Sequence, residues 1–281
     1  MKYIATFCFA PWINKKGSSD WHTTEDMLAC FTSSIEHIYQ LYNKPVIYTD
    51  TLGKNILSEL TDKCHFEVVY DKLYDEIPTH LWSYAKVLSY SMQREPYIHF
   101  DLDFILLKKL STQHDILFQV YEHILGTNLH NVYNLGRLHQ HYVVPKHFPT
   151  DRKTYDEILC PNLGILYMND MAINKEYTQT SINFVKDNIE VLRGENKVHM
   201  CVVEQQILGI VLNRHKHIKV KTLLNDHKTE YPFNDQFVHF IGAWKQKNYP
   251  GVIELQDKYY KQYKNDKTKQ LSQLLDSIKL G

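Results

Sequence analysis

From Tyr3 to Phe104 the chain alternates between two hydrophobic periods, and that alternation limits the fold more than any other feature. Tyr3–Phe9 is a continuous apolar run, the pattern of a parallel strand buried on both faces. Met27, Phe31, Ile35, Ile38 and Tyr42 then recur at three- and four-residue steps, which specifies an amphipathic helix. Thr23 or Thr24 stands where a cap belongs, with Glu25 and Asp26 in the first turn. Pro45–Thr49 reads as a second strand ending at Asp50, Asn55–Leu60 as a short helix, and His65–Tyr70 as a third strand. Leu81–Met92 is helical, and a strand runs into Asp101. The order β-α-β-α-β-α-β predicts an α/β fold with a mostly parallel central sheet and helices on both faces.

That fourth strand ends unusually. Pro96-Tyr97-Ile98-His99-Phe100 leads to Asp101-Leu102-Asp103, and Phe104-Ile105-Leu106-Leu107 follows at once. Aspartate is depleted in strands, and a buried carboxylate without a partner is costly. A hard divalent cation, Mn²⁺ or Mg²⁺, gives both acids a reason to sit between apolar runs. An acidic turn is the plainer alternative.

Beyond the acids, Ile116–Tyr121 and Pro161–Met168 read as strands. Ile173–Leu192 and Val202–Leu212 read as helices, the latter opened by Glu204, Gln205 and Gln206, and Ile218–Leu223 as a further strand. Residues 127–157 carry no clean period, and a stretch of that length inside a compact domain is usually functional or mobile. The last segment is Lys- and Tyr-rich: Lys258, Lys261, Lys264, Lys267 and Lys269 interleave with Tyr259, Tyr260 and Tyr263. Leu271, Leu274, Leu275 and Ile278 follow at helical spacing. The expected division is a domain over 1–250 and a basic, amphipathic helical tail over 251–281.

Composition excludes several classes. Lys plus Arg and Asp plus Glu are 32 each, so charge balance gives no argument for nucleic acid. Five scattered cysteines without a Cys-x-x-Cys pair fit reduced thiols in a cytoplasmic protein better than a disulfide framework or zinc site. His139-x-His141 and His215-x-His217 lack acid or Cys partners at ligand spacing, so both pairs read as surface or loop histidines. No Gly-x-Gly-x-x-Gly or Gly-Lys-Ser/Thr follows a strand, which argues against a dinucleotide fold or P-loop. The first apolar run is too short for a secretory signal, and no run reaches the ~18 residues of a membrane span.

Four elements, in order, resemble one pattern. They are Asp101-Leu102-Asp103 after a strand, Asn162-Leu163-Gly164 entering a strand, Glu204-Gln205 at a helix start, and His239-Phe240-Ile241-Gly242-Ala243-Trp244-Lys245. The last matches His-x-x-Gly-x-x-Lys and is the most specific. Together they resemble GT-A glycosyltransferases, closest to glycosyltransferase family 8 and its relatives. The resemblance implies a single GT-A-like, Rossmann-like domain that moves a hexose from a nucleotide-sugar, UDP-linked, to an acceptor hydroxyl with Mn²⁺ or Mg²⁺.

It implies Asp101, Asp103 and His239 as metal ligands. Thr6, Asp50, Lys86, Leu102, Gly242 and Lys245 would lie on the donor nucleotide, and Asn162, Glu204 and Gln205 at the sugar. The pattern has Asp-Gln where this chain has Glu204-Gln205, so Glu204 stays open between stabilising an oxocarbenium-like state and serving as a general base. The acceptor would be a glycan, a lipid-linked sugar or a protein. Two rivals remain: a nucleotidyltransferase that makes nucleotide-sugars, and a non-catalytic module that only binds them. For the tail, packing on the domain stands beside weak attachment to an anionic inner-membrane surface, which its lysines and aromatics would favour.

Overall fold

The computed structural model describes residues 1–13, 21–122, 142–148, 158–194, 201–225, 233–241, 245 and 251–280. Nine strands are found among them: β1 (Lys2–Phe7), β2 (Val46–Thr49), β3 (His65–Val68), β4 (Tyr97–Phe100), β5 (Phe104–Leu106), β6 (Ile116–Glu122), β7 (Cys160–Met168), β8 (Val220–Thr222) and β9 (Phe237–His239). Seven form a mixed sheet in the order β3-β2-β1-β4-β7-β6-β8, and β5 pairs with β9 in a separate two-stranded sheet. β1, β2 and β3 run parallel, β6 is parallel to β8, and β6 and β7 are antiparallel. The fold is thus α/β with a mostly parallel sheet, as the alternating periods require.

The chain divides into two compact units. One comprises Lys2–Asp71, His99–Ser111 and Tyr231–Gly281. Its main helices are α1 (Phe9–Ile13), α2 (Thr24–Leu41) and α3 (Thr51–Leu60). The Thr23 hydroxyl accepts from the Asp26 amide and caps α2, whose Met27, Leu28, Phe31, Ile35 and Ile38 are buried. The first strand is shorter than its apolar run. It stops at Phe7, and Phe9 opens α1, because the Asp50 carboxylate accepts from the amides of Phe9 at 2.8 Å and Ala10 at 3.2 Å. The other Asp50 oxygen accepts from Gly53 at 2.7 Å and caps α3. A side chain on Gly53 would lie 1.9 Å from the Thr49 hydroxyl, so any larger residue would force Thr49 to shift.

The other unit comprises Lys72–Ile98 and Thr112–Glu230, with Met1. It holds α4 (Tyr84–Ser91), α5 (Met171–Asp187) and α6 (Ile207–Arg214). The long helix read over Ile173–Leu192 is broken at Asn188, whose side-chain amide donates to the carbonyls of Phe184 and Val143 and accepts from the Val143 amide. Most of 127–157 lies outside the described residues. No helix among those described is long and apolar enough to cross a membrane.

Candidate functional site

The first cluster forms where β5 meets β9. All four residues of β4 are buried, and the chain then turns through Asp101-Leu102-Asp103, closed by the Phe104 amide donating to the Asp101 carbonyl at 2.9 Å. Leu102 is 3% exposed, so its side chain anchors the turn while both acids are only half-buried. β5 continues antiparallel to β9 with Phe104 opposite His239, and the Phe240 amide donates to the Asp103 carbonyl at 2.9 Å. This register brings His239 to the acids from far along the chain. One ligand atom from each of Asp101, Asp103 and His239 lies within 4.8 Å of the others. Among the described residues no other group of three His, Cys, Asp or Glu does the same.

Charge is concentrated at Asp103. Lys245 Nζ lies 2.8 Å from Asp103 Oδ2, and His239 Nε2 lies 3.4 Å from Oδ1. Burial alone raises the Asp103 pKa, but the Lys245 charge and the His239 contact outweigh it and hold the carboxyl well below the usual range. Asp103 therefore stays an acceptor-only group. Two carboxylates and one imidazole suit Mn²⁺, and three protein ligands leave positions for waters and phosphate oxygens. The donor set fits the expected cation.

Other expected residues of this unit take different places. The three amides on Asp50 engage both its carboxylate oxygens in holding α1 and α3, a fold role that the sequence, which shows only a residue after a strand, does not reveal. Burial nevertheless raises its pKa. Thr6 is buried in β1, beside Tyr48 of β2. Gly242 lies outside the described residues. Trp21, which carries no signal in the sequence, places its ring 5.5 Å from Lys245 Nζ.

The other unit gathers a second cluster. Lys86, on α4, does not lie on the helix surface: it is 4% exposed, and Nζ lies 2.5 Å from Glu204 Oε1. The same ammonium donates to the Leu163 carbonyl at 3.2 Å. The Asn162 side chain accepts from the Gly164 amide at 3.0 Å. Lys86 thus ties Asn162-Leu163-Gly164 to Glu204, two elements that the sequence shows only separately. Glu204 sits in a π-helical turn, Val202–Gln206, that runs into α6, where the sequence predicted an ordinary helix start. Such turns are rare and often occur at functional sites. Gln205 is partly exposed there.

A second residue the sequence did not flag, Tyr177, donates its hydroxyl to the Glu204 carbonyl at 2.7 Å and stands against Tyr90 at 6.3 Å. Burial, followed by the Glu204 charge, pushes the Tyr177 hydroxyl far up, so it remains a donor.

The chain is similar in structure to galactosyltransferase LgtC, crystallised with donor and acceptor sugar analogues, at 9% identity and TM-score 0.46 over 99% of this chain and 96% of that one. It is similar to the bifunctional glycosyltransferase WbbM in its apo form at 11% identity and TM-score 0.46, over 92% of this chain and 51% of that one. It is also similar to mouse xyloside xylosyltransferase 1, apo form, at 13% identity and TM-score 0.39, over 79% and 84%. No curated protein matches it by sequence. Residues 1–274 match the model described as Family of unknown function (DUF6734), and the chain belongs to that family.

Proposed function

We propose that this protein is a glycosyltransferase of the GT-A type. It takes a hexose from a nucleotide diphosphate sugar, UDP-linked, and passes it to an acceptor hydroxyl with a divalent cation bound. The observation that carries this reading is the convergence of Asp101, Asp103 and His239 within 4.8 Å, with Lys245 against Asp103. Bound there, Mn²⁺ or Mg²⁺ would offset the charge that develops on a departing diphosphate. Lys245 adds a point charge toward the same phosphates, and Gly242 would let the backbone approach them. Glu204, Gln205 and Asn162 are proposed as the catalytic residues. Lys86 acts through Glu204, keeping its carboxylate paired and oriented.

Calorimetric titration of UDP with and without Mn²⁺ tests the reading. The parent protein is expected to bind UDP only with Mn²⁺, and Asp101→Asn or Asp103→Asn to weaken that binding about tenfold or more with the fold intact, as for a lost metal ligand. Parent-like binding in both variants would show that the acids hold no cation. Release of UDP from UDP-sugars without acceptor, absent from a pure binding module, decides between enzyme and module.

A further inference from the structure

Lys245 is held from both ends by two consecutive residues. Its ammonium faces the Trp21 ring at 5.5 Å, and its carbonyl accepts from the His22 amide at 3.2 Å. The indole is itself fixed. It meets Phe31 edge-on at 6.2 Å and Tyr260 edge-on at 6.3 Å, and it lies tilted against Phe240 at 6.2 Å. Phe240 and Tyr260 pack on each other at 5.2 Å, both wholly buried, and Trp21 is 7% exposed. Phe240 directly follows His239 and donates its amide to the Asp103 carbonyl. One rigid ring therefore contacts both the lysine and the strand end that carries the imidazole.

A lysine loses much rotamer freedom when fixed, so its direction needs a partner. Asp103 is one, but a carboxylate shared with a cation holds an ammonium less firmly. The indole face is uncharged and attracts the ammonium whatever Asp103 binds. We propose that Trp21 is a positioning residue that keeps Lys245 aimed at the cation cluster, from which it meets the phosphates of a nucleoside diphosphate. This deepens the reading given under Proposed function and rests on it.

Trp21→Leu keeps apolar bulk and removes the ring face, and Trp21→Phe restores a weaker one. Mn²⁺ binding alone, read from the free-ion paramagnetic resonance signal, is expected within about twofold of the parent in both, since neither substitution touches a ligand. UDP affinity at saturating Mn²⁺ is expected to fall about 5- to 20-fold in Trp21→Leu and to recover largely in Trp21→Phe. In a Lys245→Met background Trp21→Leu should add little, as for two residues acting as one unit.

Acetylation of Lys245 by limiting acetic anhydride, read by mass spectrometry, needs no nucleotide. It should run several-fold faster in Trp21→Leu and about twofold faster in Trp21→Phe. Unchanged UDP affinity in Trp21→Leu, or a full additive loss beside Lys245→Met, overturns the proposal. If the parent binds no UDP with Mn²⁺, the proposed function fails separately, and an unchanged acetylation rate then overturns the Trp21–Lys245 link as well. Should Trp21→Leu not fold, equal rates in the parent and Trp21→Phe overturn it.

Discussion

The side chains of Lys86 and Glu204 are each 5% exposed, with 2.5 Å between Nζ and Oε1. Neither charge can be removed singly without stranding the other in the core. Glu204→Gln is therefore expected to cost about 3 kcal/mol of stability, measured by urea unfolding, besides any effect on chemistry. The double variant Lys86→Met with Glu204→Gln should recover most of that stability while turnover stays down about a hundredfold or more, as for a lost base or charge stabiliser. Recovery of both would reduce the pair to a structural tie. Asp101, Asp103 and His239 could be read in the sequence because acids between apolar runs, and a His-x-x-Gly-x-x-Lys spacing, are local signals. The Lys86–Glu204 pair and the Trp21–Lys245 contact were not legible. Both join residues distant in the chain, and a buried lysine looks in sequence like any helix lysine.

At the scale of elements, α6 lies very close to the segment before β7. A side chain on Gly209 would come within 2.4 Å of the Leu159 carbonyl oxygen and 3.3 Å of Ile158 Cγ2. Alanine there gains about 1 kcal/mol of helix propensity, but a backbone oxygen cannot yield as a flexible side chain does. Gly209→Ala is accordingly expected to destabilise by a net 1–3 kcal/mol, roughly the cost of overpacking, and to displace the π-helical turn bearing Glu204. Urea midpoints give the first effect, and a fall in kcat with a smaller change in KM the second. The apolar periods located the seven strands of the large sheet and the main helices, since period reports burial, but not β5, β9 or α1. They missed the stop of β1 at Phe7, which Asp50 imposes from the N-cap of α3. They also missed the π-helical turn, whose one extra residue carries no compositional mark.

For the molecule as a whole, the C-terminal segment is built in. Asp26, fully buried, pairs with Lys264; Thr24 donates to Asp276 at 2.5 Å; Ser33 donates to the Tyr259 carbonyl at 2.6 Å. Lys267 pairs with Glu59 and Lys261 with Asp257, so three of the five tail lysines are ion-paired within the chain. A chain ending at Gln256 leaves Asp26 buried without its cation and is expected to lose roughly 2–4 kcal/mol, visible as a lower thermal midpoint. Attachment to anionic vesicles is therefore better tested by charge reversal at the exposed Lys258 and Lys269, for which equal, negligible co-sedimentation at low salt would exclude a membrane role.

The segmentation of the two units also sets an order in time. Asp101 and Asp103 leave the ribosome well before His239 and Lys245, and the whole stretch Thr112–Glu230 of the other unit is made in between. Domains fold as units during synthesis, and contacts between distant segments close slowly. The acids thus wait, without their imidazole and ammonium, while the second unit matures. The cluster of Asp101, Asp103, His239 and Lys245 is among the last features of the protein to be completed.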